Sequence, residues 1–263
     1  MHLFVQIAKL AFQRQLTYRA AALAGLATNF FFGILRASVL VALFGPSQVV
    51  EGISVQGAIT YTGLTQAIIA YLSFFGWWEV MDAVYSGDIG MALLKPLDTF
   101  NFWLAQDLGR ALANLFMRGL SIMALYAILF DITTPTSGSQ WLALVVALVL
   151  SWLVSFAWRF LINLGSFWTP NARGIGRFGF ALTWALSGFI MPLRLFPDWF
   201  VRLCNLTPFP SMVNTVVEVY LGVLSGPELV HALLIQAFWF LVLVLLAKII
   251  LRAGVRHLVI QGG

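Results

Sequence analysis

Charged residues are scarce in this 263-residue chain: Asp, Glu, Lys and Arg make up 10% of it, while apolar residues make up 61%. A soluble domain usually carries about a quarter charged residues, because its surface must face water. The mean hydropathy is +0.92, and the apolar runs leave no stretch long enough for an independent soluble core. The composition therefore predicts an all-α integral membrane protein, with residues 1–263 forming one transmembrane domain.

Cysteine, histidine and lysine are also rare, which excludes several kinds of active site. Cys204 is the only cysteine, so a disulfide within the chain and a CxxC metal site are both excluded. The three histidines lie far apart, so we expect no metal site. None of the three lysines follows a G-x-x-x-x-G-K-[ST] loop, so we do not expect the chain to hydrolyse ATP, to be an enzyme or to carry a cofactor.

Six apolar runs are long enough to cross the hydrocarbon core of a bilayer, which takes about 20 residues of helix. They lie near residues 20–44, 57–78, 108–130, 140–162, 176–192 and 229–250. Basic residues flank these runs mainly on one side, whereas segments 45–56 and 131–139 contain no Lys or Arg. The positive-inside rule then places both termini in the cytoplasm. Because the net charge of +5 is spread between the spans, the expected partners include membrane lipids and exclude nucleic acid.

Three segments depart from a plain bundle of six transmembrane helices. Residues 1–19 carry polar side chains such as Lys9 at helical spacing, which predicts an amphipathic helix lying on the membrane surface. Residues 79–107 are predicted to form a long amphipathic cytoplasmic connection, which holds half of the acidic residues. Residues 193–228 are apolar but interrupted by prolines, which predicts a re-entrant outer hairpin between spans five and six.

Polar side chains inside the predicted spans are candidates for lining a transport pathway. They are Arg36 in span one, Thr62, Gln66 and Ser73 in span two, Arg118 in span three, and Ser155 and Arg159 in span four. For any one of these groups helix packing is the favoured interpretation, and a long arginine can snorkel to the headgroups. Arg36 is the hardest to explain by packing, because it lies about 12 Å inside its span at 1.5 Å per residue, where an unpaired charge is costly.

Three local runs, taken with the order of the spans, resemble a bacterial subfamily of the ABC-2 type transporter permeases that work beside a separately encoded ATPase. The first run is Gly87-Asp88-Ile89-Gly90 leading to Leu94-Lys95-Pro96-Leu97-Asp98. The second is Ser187-Gly188 through Pro192 and Phe196-Pro197-Asp198-Trp199. The third is Leu206-Thr207-Pro208-Phe209 with Tyr220-Leu221-Gly222. The resemblance extends over nearly the whole chain.

The resemblance implies the transmembrane subunit of an exporter in the bacterial inner membrane. Two permease chains, identical or sister, would pair and form the pathway at their interface, above a pair of ATP-binding subunits that hold ATP and Mg²⁺. Connection 79–107 would couple to these subunits through Glu79, Asp82, Asp88, Lys95 and Pro96. The outer hairpin would gate the pathway with Pro192, Phe196, Trp199 and Phe209.

Two other classes of function stay open beside the ABC permease. One is a stand-alone secondary carrier or channel, although the chain shows no convincing match between its two halves of the kind that carriers often show. The other is a membrane scaffold that transports nothing, against which the polar side chains within the spans weigh mildly. Neither alternative has a partner ATPase, so co-purification with one separates them from a permease.

Overall fold

A computed structural model describes residues 2–74, 76–169 and 172–257 of the chain. The predicted cytoplasmic C-terminus, residues 258–263, lies outside the described residues. A short antiparallel ladder, β1 (Val49–Val50) and β2 (Ile53–Ser54), interrupts an otherwise helical chain. The helices are α1 (His2–Thr17), α2 (Arg19–Phe44), α3 (Val55–Tyr71), α4 (Glu79–Ser86), α5 (Ile89–Leu93), α6 (Thr99–Asn114), α7 (Leu120–Leu129), α8 (Gly138–Asn163), α9 (Arg173–Leu186), α10 (Asp198–Asn205), α11 (Asn214–Tyr220) and α12 (Gly226–Val255).

Four helical stretches of the described chain are long and apolar enough to cross a membrane: Arg19–Phe44, Thr99–Leu129, Gly138–Phe167 and Gly226–Val255. The second stretch joins α6 to α7 through a π-helical turn at Leu115–Gly119, and the third continues α8 by a 3₁₀ turn at Leu164–Phe167. At 26 to 31 residues each, all four exceed the ~20 residues that a span needs. The chain is therefore a multi-pass helical membrane protein.

The other two predicted spans coincide with shorter helices. Helix α3 has 17 residues, and 14 of them are buried inside the chain. It ends at Tyr71, so the predicted span 57–78 is too long at its end, and Ser73 lies beyond the helix at φ 52°. Helix α9 has 14 residues and stops at Leu186, shortly before a left-handed turn at Gly188 with φ 77°. Neither helix reaches the length of a span by itself.

Helix α6 extends across the predicted boundary between the cytoplasmic connection and span three. Helix α6 begins at Thr99, because Asp98 caps it by accepting a hydrogen bond from the Asn101 backbone N–H at 3.4 Å. The helix then continues without a break past residue 108. The last nine residues of the predicted connection 79–107 therefore belong to the helix, and Asp107 lies inside it.

The N-terminal helix α1 packs lengthwise along α6. At the crossing, Gly109 of α6 meets Ala8, Ala11 and Phe12 of α1 so closely that a Cβ atom at Gly109 would clash with the Ala8 carbonyl oxygen. The two helices can approach this closely because glycine has no side chain. The position of α1 is thus fixed by packing against the start of the long α6–α7 helix.

Residues 187–220 fold back against the helices instead of forming a solvated loop. Asn214 joins the two ends of this segment: its backbone N–H donates to the Ser187 carbonyl at 3.1 Å, and its Oδ1 accepts from the Leu193 N–H at 3.3 Å. Most residues from Phe209 to Val217 are buried, and α11 packs on α8. These backbone hydrogen bonds are therefore made within the protein.

Candidate functional site

The residues predicted to couple to an ATPase lie on α4, α5 and the turn that follows. Glu79 begins α4 and forms an ion pair with Arg110 of α6 at 3.2 Å. Asp82, one turn later, forms an exposed ion pair with Arg173 of α9 at 3.0 Å. These two acidic residues therefore connect the short helix α4 to two longer helices on the side of the protein that carries α1.

The remaining residues of the predicted coupling set have only local contacts. Asp88 accepts a hydrogen bond from the Ser86 hydroxyl at 2.8 Å. The Lys95 ammonium lies 3.7 Å from the centre of the Phe102 ring, in a cation–π contact. Pro96 is exposed in the turn between α5 and α6. All three residues are exposed.

Helix α4 is also held by an amide side chain at the end of α8. Asn163 Oδ1 accepts from the Met81 backbone N–H at 3.2 Å, which satisfies one of the free N–H groups in the first turn of α4. The Asn163 Nδ2 donates to the carbonyl oxygens of Trp77 and Arg159, both at 2.8 Å. Asn163 thus acts as a helix cap supplied from another helix.

About one helical turn before Asn163 on α8 lies a buried cluster of charged side chains. Arg159 of α8 donates from Nη1 to Asp107 Oδ1 at 3.0 Å and from Nη2 to Oδ2 at 2.8 Å. The Trp152 indole N–H donates to Oδ2 at 2.8 Å, and Arg110 donates to Oδ1. The side chains of Asp107 and Arg159 are 1% and 2% exposed. The carboxylate therefore has four donors and no contact with water.

The cluster is electrically balanced once its outermost member is included. Asp107 and Glu79 carry two negative charges, and Arg110 and Arg159 carry two positive ones. The ring of Trp77 lies beside both guanidinium groups, with its centre 5.8 Å and 5.5 Å from their central carbons. Because a buried charge is tolerated only when it is paired and hydrogen-bonded, these residues form one interdependent unit.

Arg36 of α2 makes a second polar contact between helices. Its Nη1 donates to the Thr65 hydroxyl of α3 at 3.0 Å, and its Nη2 donates to the carbonyl oxygens of Ile190, at 2.8 Å, and Phe189. The guanidinium also lies 4.5 Å from the centre of the Phe189 ring. Two of its three acceptors are therefore backbone oxygens in the irregular segment that follows α9.

The other residues predicted to line a pathway are divided between the interior and the helix surfaces. Thr62, Gln66, Ser155 and Arg159 are buried within the chain, at 2% exposure or less. The Thr62 hydroxyl lies 3.2 Å from the Tyr126 hydroxyl, so it contacts α7 and not an open channel. Ser73, beyond the end of α3, does not share the face of Thr62 and Gln66.

Arg118 differs from these buried residues. It lies in the π-helical turn between α6 and α7, and its guanidinium packs against Gly25 of α2, where a Cβ atom would come within 2.7 Å of Cζ. No carboxylate of the described residues pairs with it, and its Nε is buried without a hydrogen-bond partner there. π-helical turns are frequent at functional sites.

The four residues predicted to form an outer gate do not converge. Phe196 and Trp199 each contact Phe200, with ring centres 4.8 Å and 5.6 Å apart, and Trp199 is 63% exposed. Phe209 lies instead in the core against Trp158, at 5.1 Å. Pro192 is buried before the 3₁₀ turn Leu193–Leu195. Only the first two share a surface.

The Asp107–Arg159 pair is the main feature that sequence reasoning missed. Asp107 is expected in the cytoplasmic connection and Arg159 in the pathway, so nothing suggests a contact between them. One local signal is present: Asp107 and Arg110 are three residues apart and so lie on one helical face. Within the described residues, no group of three His, Cys, Asp or Glu side chains is arranged to hold a metal ion.

Comparison with protein families gives a match over most of the chain. Residues 28–262 match the family described as ABC-2 family transporter protein. This range covers the chain from within α2 onwards, including the ion-pair cluster and the segment 187–220. A comparison with curated proteins gives no match.

Proposed function

The chain belongs to the ABC-2 transporter family, and on that premise we propose that it is the permease subunit of an exporter driven by separate ATP-binding subunits. ATP and Mg²⁺ would be held by those subunits. Two permease chains, identical or sister, would pair in a bacterial inner membrane, with both termini in the cytoplasm. The attachment of α4 to the buried ion-pair cluster is the observation that carries this proposal.

Helix α4 is suited to transmit a force from a partner protein to the long helices α6 and α8. It has eight residues, so it is too short to be stable alone. Asn163 caps it and Glu79 bonds to Arg110, and both contacts lead directly to the Asp107–Arg159 pair. A force on α4 therefore reaches α6 and α8 through direct hydrogen bonds and ion pairs.

A cleft of about 700 Å³ beside α4 suits the docking of an ATP-binding subunit. The acidic side chain of Asp82 and the basic side chains of Arg173 and Arg177 line it, and Tyr85 projects at its edge with 78% exposure. Exposed charges of both signs around an aromatic residue are typical of the rim and anchor of a protein interface. Asp88, Lys95 and Pro96 would extend this surface.

A six-span topology accounts for the shorter helices. Helix α3, at about 25 Å for 17 residues, spans most of the ~30 Å core and is covered by other helices, so lipid does not contact its ends. Helix α9 would cross with the chain that follows it, because Arg36 satisfies the carbonyl oxygens of Phe189 and Ile190. Residues 193–228 would then form the re-entrant outer hairpin.

The surface for pairing of two permease chains would include α2. Its outward side chains Phe31, Phe32 and Leu35 are 62%, 50% and 49% exposed, and Arg118 lies at its edge. The pathway would pass between the two copies there. Ser155 and Arg159, which are buried within one chain, would act in coupling rather than in lining the pathway.

Co-expression with the P-loop ATPase encoded nearest to this chain tests the proposal. The two proteins are expected to co-purify in equal amounts, and Asp82→Lys is expected to weaken the complex by reversing a charge in the cleft. Asp131→Lys is the matched control, because Asp131 is exposed on the opposite side of the protein. If the chain migrates alone, or if both variants behave alike, the proposal fails and a stand-alone carrier or a scaffold is favoured.

A further inference from the structure

A second cleft, of about 380 Å³, lies between α1 and α6. One wall is apolar and consists mainly of Ile7, Leu10 and Phe102. The other wall carries charge, with Arg14 from α1, Arg110 from α6 and Glu79 from α4. The cleft thus combines an apolar wall with a charged wall. A membrane lipid has the same two parts, its apolar acyl chains and its charged headgroup.

The charged wall has an excess of positive charge. Arg110 is balanced by Glu79 and by its contact with Asp107, as described above. Arg14 has no such partner, since no carboxylate of the described residues lies within ion-pair distance of it. An exposed, uncompensated guanidinium at the mouth of the cleft attracts an anion, and its planar group suits a phosphate.

The cleft is also at the depth where lipid headgroups lie. Helix α1 ends at Thr17, and α2 begins to cross the membrane at Arg19, so Arg14 lies near the level at which α2 enters the membrane. On its free face Val5 is 59% exposed, which suits a helix resting against acyl chains. Basic pockets between helices at this level recognise anionic headgroups.

We propose that this cleft binds an anionic phospholipid of the adjacent leaflet, with the phosphate at Arg14 and an acyl chain along Ile7, Leu10 and Phe102. A lipid in this position holds α1 against α6 beside Glu79, so the composition of the leaflet acts on the same contacts that hold α4. The site requires only that the chain lies in a membrane, so it stands apart from the ATPase partnership proposed above.

Native mass spectrometry of the purified full chain, after removal of bound lipid, tests the site. Dioleoyl phosphatidylglycerol is expected to bind more tightly than dioleoyl phosphatidylcholine, which has no net charge. Arg14→Gln is expected to weaken phosphatidylglycerol binding about fivefold, the effect of about 1 kcal/mol per basic residue near an anionic surface. Arg19→Gln is the matched control, because Arg19 is exposed nearby but outside the cleft.

A pair of apolar substitutions tests whether the acyl chain takes part. Leu10→Gln is expected to weaken binding, whereas Leu3→Gln, on the same helix but outside the cleft, is expected to leave it unchanged. Equal binding of the two lipids, or equal losses for Arg14→Gln and Arg19→Gln, would overturn the proposal in favour of diffuse surface charge. If inorganic phosphate displaces the lipid and Leu10→Gln does not change binding, the cleft is a site for free phosphate. That result would overturn the lipid assignment.

Discussion

Asp107 and Arg159 form a two-pronged ion pair, with Nη1–Oδ1 at 3.0 Å and Nη2–Oδ2 at 2.8 Å, that joins α6 to α8 in a place closed to water. Arginine and a carboxylate fit together in this parallel geometry because both groups are planar. The pair lies one contact away from both attachments of α4. It is the point at which the short helix α4 and the long membrane-crossing helices meet.

Removing one member of this pair leaves a buried charge without a partner. Asp107→Asn is expected to lower the unfolding free energy by about 3–5 kcal/mol, because Arg159 and Arg110 then repel each other in a dry environment. Unfolding of the detergent-solubilised chain, followed by its melting temperature, measures the loss. Asp131→Asn, which removes an exposed carboxylate, is expected to leave the melting temperature unchanged.

The double variant Asp107→Asn, Arg159→Met shows whether the loss comes from the uncompensated charge. It is expected to recover part of the stability that Asp107→Asn loses, because Met fills a similar space without a charge. Equal melting temperatures for the single and double variants would contradict the account of the cluster as a balanced unit.

The cap from Asn163 to α4 predicts a local effect rather than a global one. Asn163→Ala is expected to raise hydrogen exchange at the first amides of α4 about fivefold, since a helix cap contributes about 1 kcal/mol. Exchange in α8 away from position 163 should not change. Asn101→Ala, an exposed position on α6, is the comparison variant, and equal exchange in α4 for both variants would show that Asn163 does not hold the helix.

The close contact at Gly109 predicts that α1 is easily displaced by a small side chain. Gly109→Ala places a methyl group against the Ala8 carbonyl, so the two helices must separate. Trypsin is then expected to cleave faster after Arg14 and Arg19. Gly138→Ala is the control, because a Cβ atom there meets no other atom within 4 Å; faster cleavage in this variant as well would indicate general loosening.

The number of spans can be measured with single cysteines in a Cys204→Ala background. With six spans, an impermeant maleimide added outside whole cells is expected to label Ser139→Cys and not Ser86→Cys. With only the four longest helices crossing, the chain from 45 to 98 stays on one side, and the labelling pattern is reversed. Labelling in permeabilised cells checks that both cysteines can react.

The membrane class and the approximate places of the long helices follow from local composition, and the family follows from the resemblance of three local runs. The apolar runs of about 20 residues, and an aspartate such as Asp98 at a helix start, are both recognised from residues that are neighbours in the sequence. The unbroken helix through residue 108 is not apparent from the sequence, because Phe102, Trp103 and Leu104 sit among polar residues there, and the average over them hides a helix that α1 covers.

The Asp107–Arg159 contact could not be found in this way, since its residues are 52 positions apart. No short-range pattern reports which helices become neighbours. The same holds for Arg36, whose partners at Thr65 and Ile190 come from two distant segments. Its depth in α2 indicates that a partner is needed, but only the fold identifies backbone carbonyls after α9 as that partner.

The most direct test of the central claim, that a separate ATPase acts on this chain through α4, measures a nucleotide-dependent change on the opposite side of the protein. In the purified complex, with Cys204→Ala and Leu206→Cys, a non-hydrolysable ATP analogue is expected to change the maleimide labelling rate of the exposed position 206. Adding Asn163→Ala is expected to abolish this change while the ATPase still co-purifies. No effect of nucleotide in the parent, or the same effect in both proteins, would contradict the account.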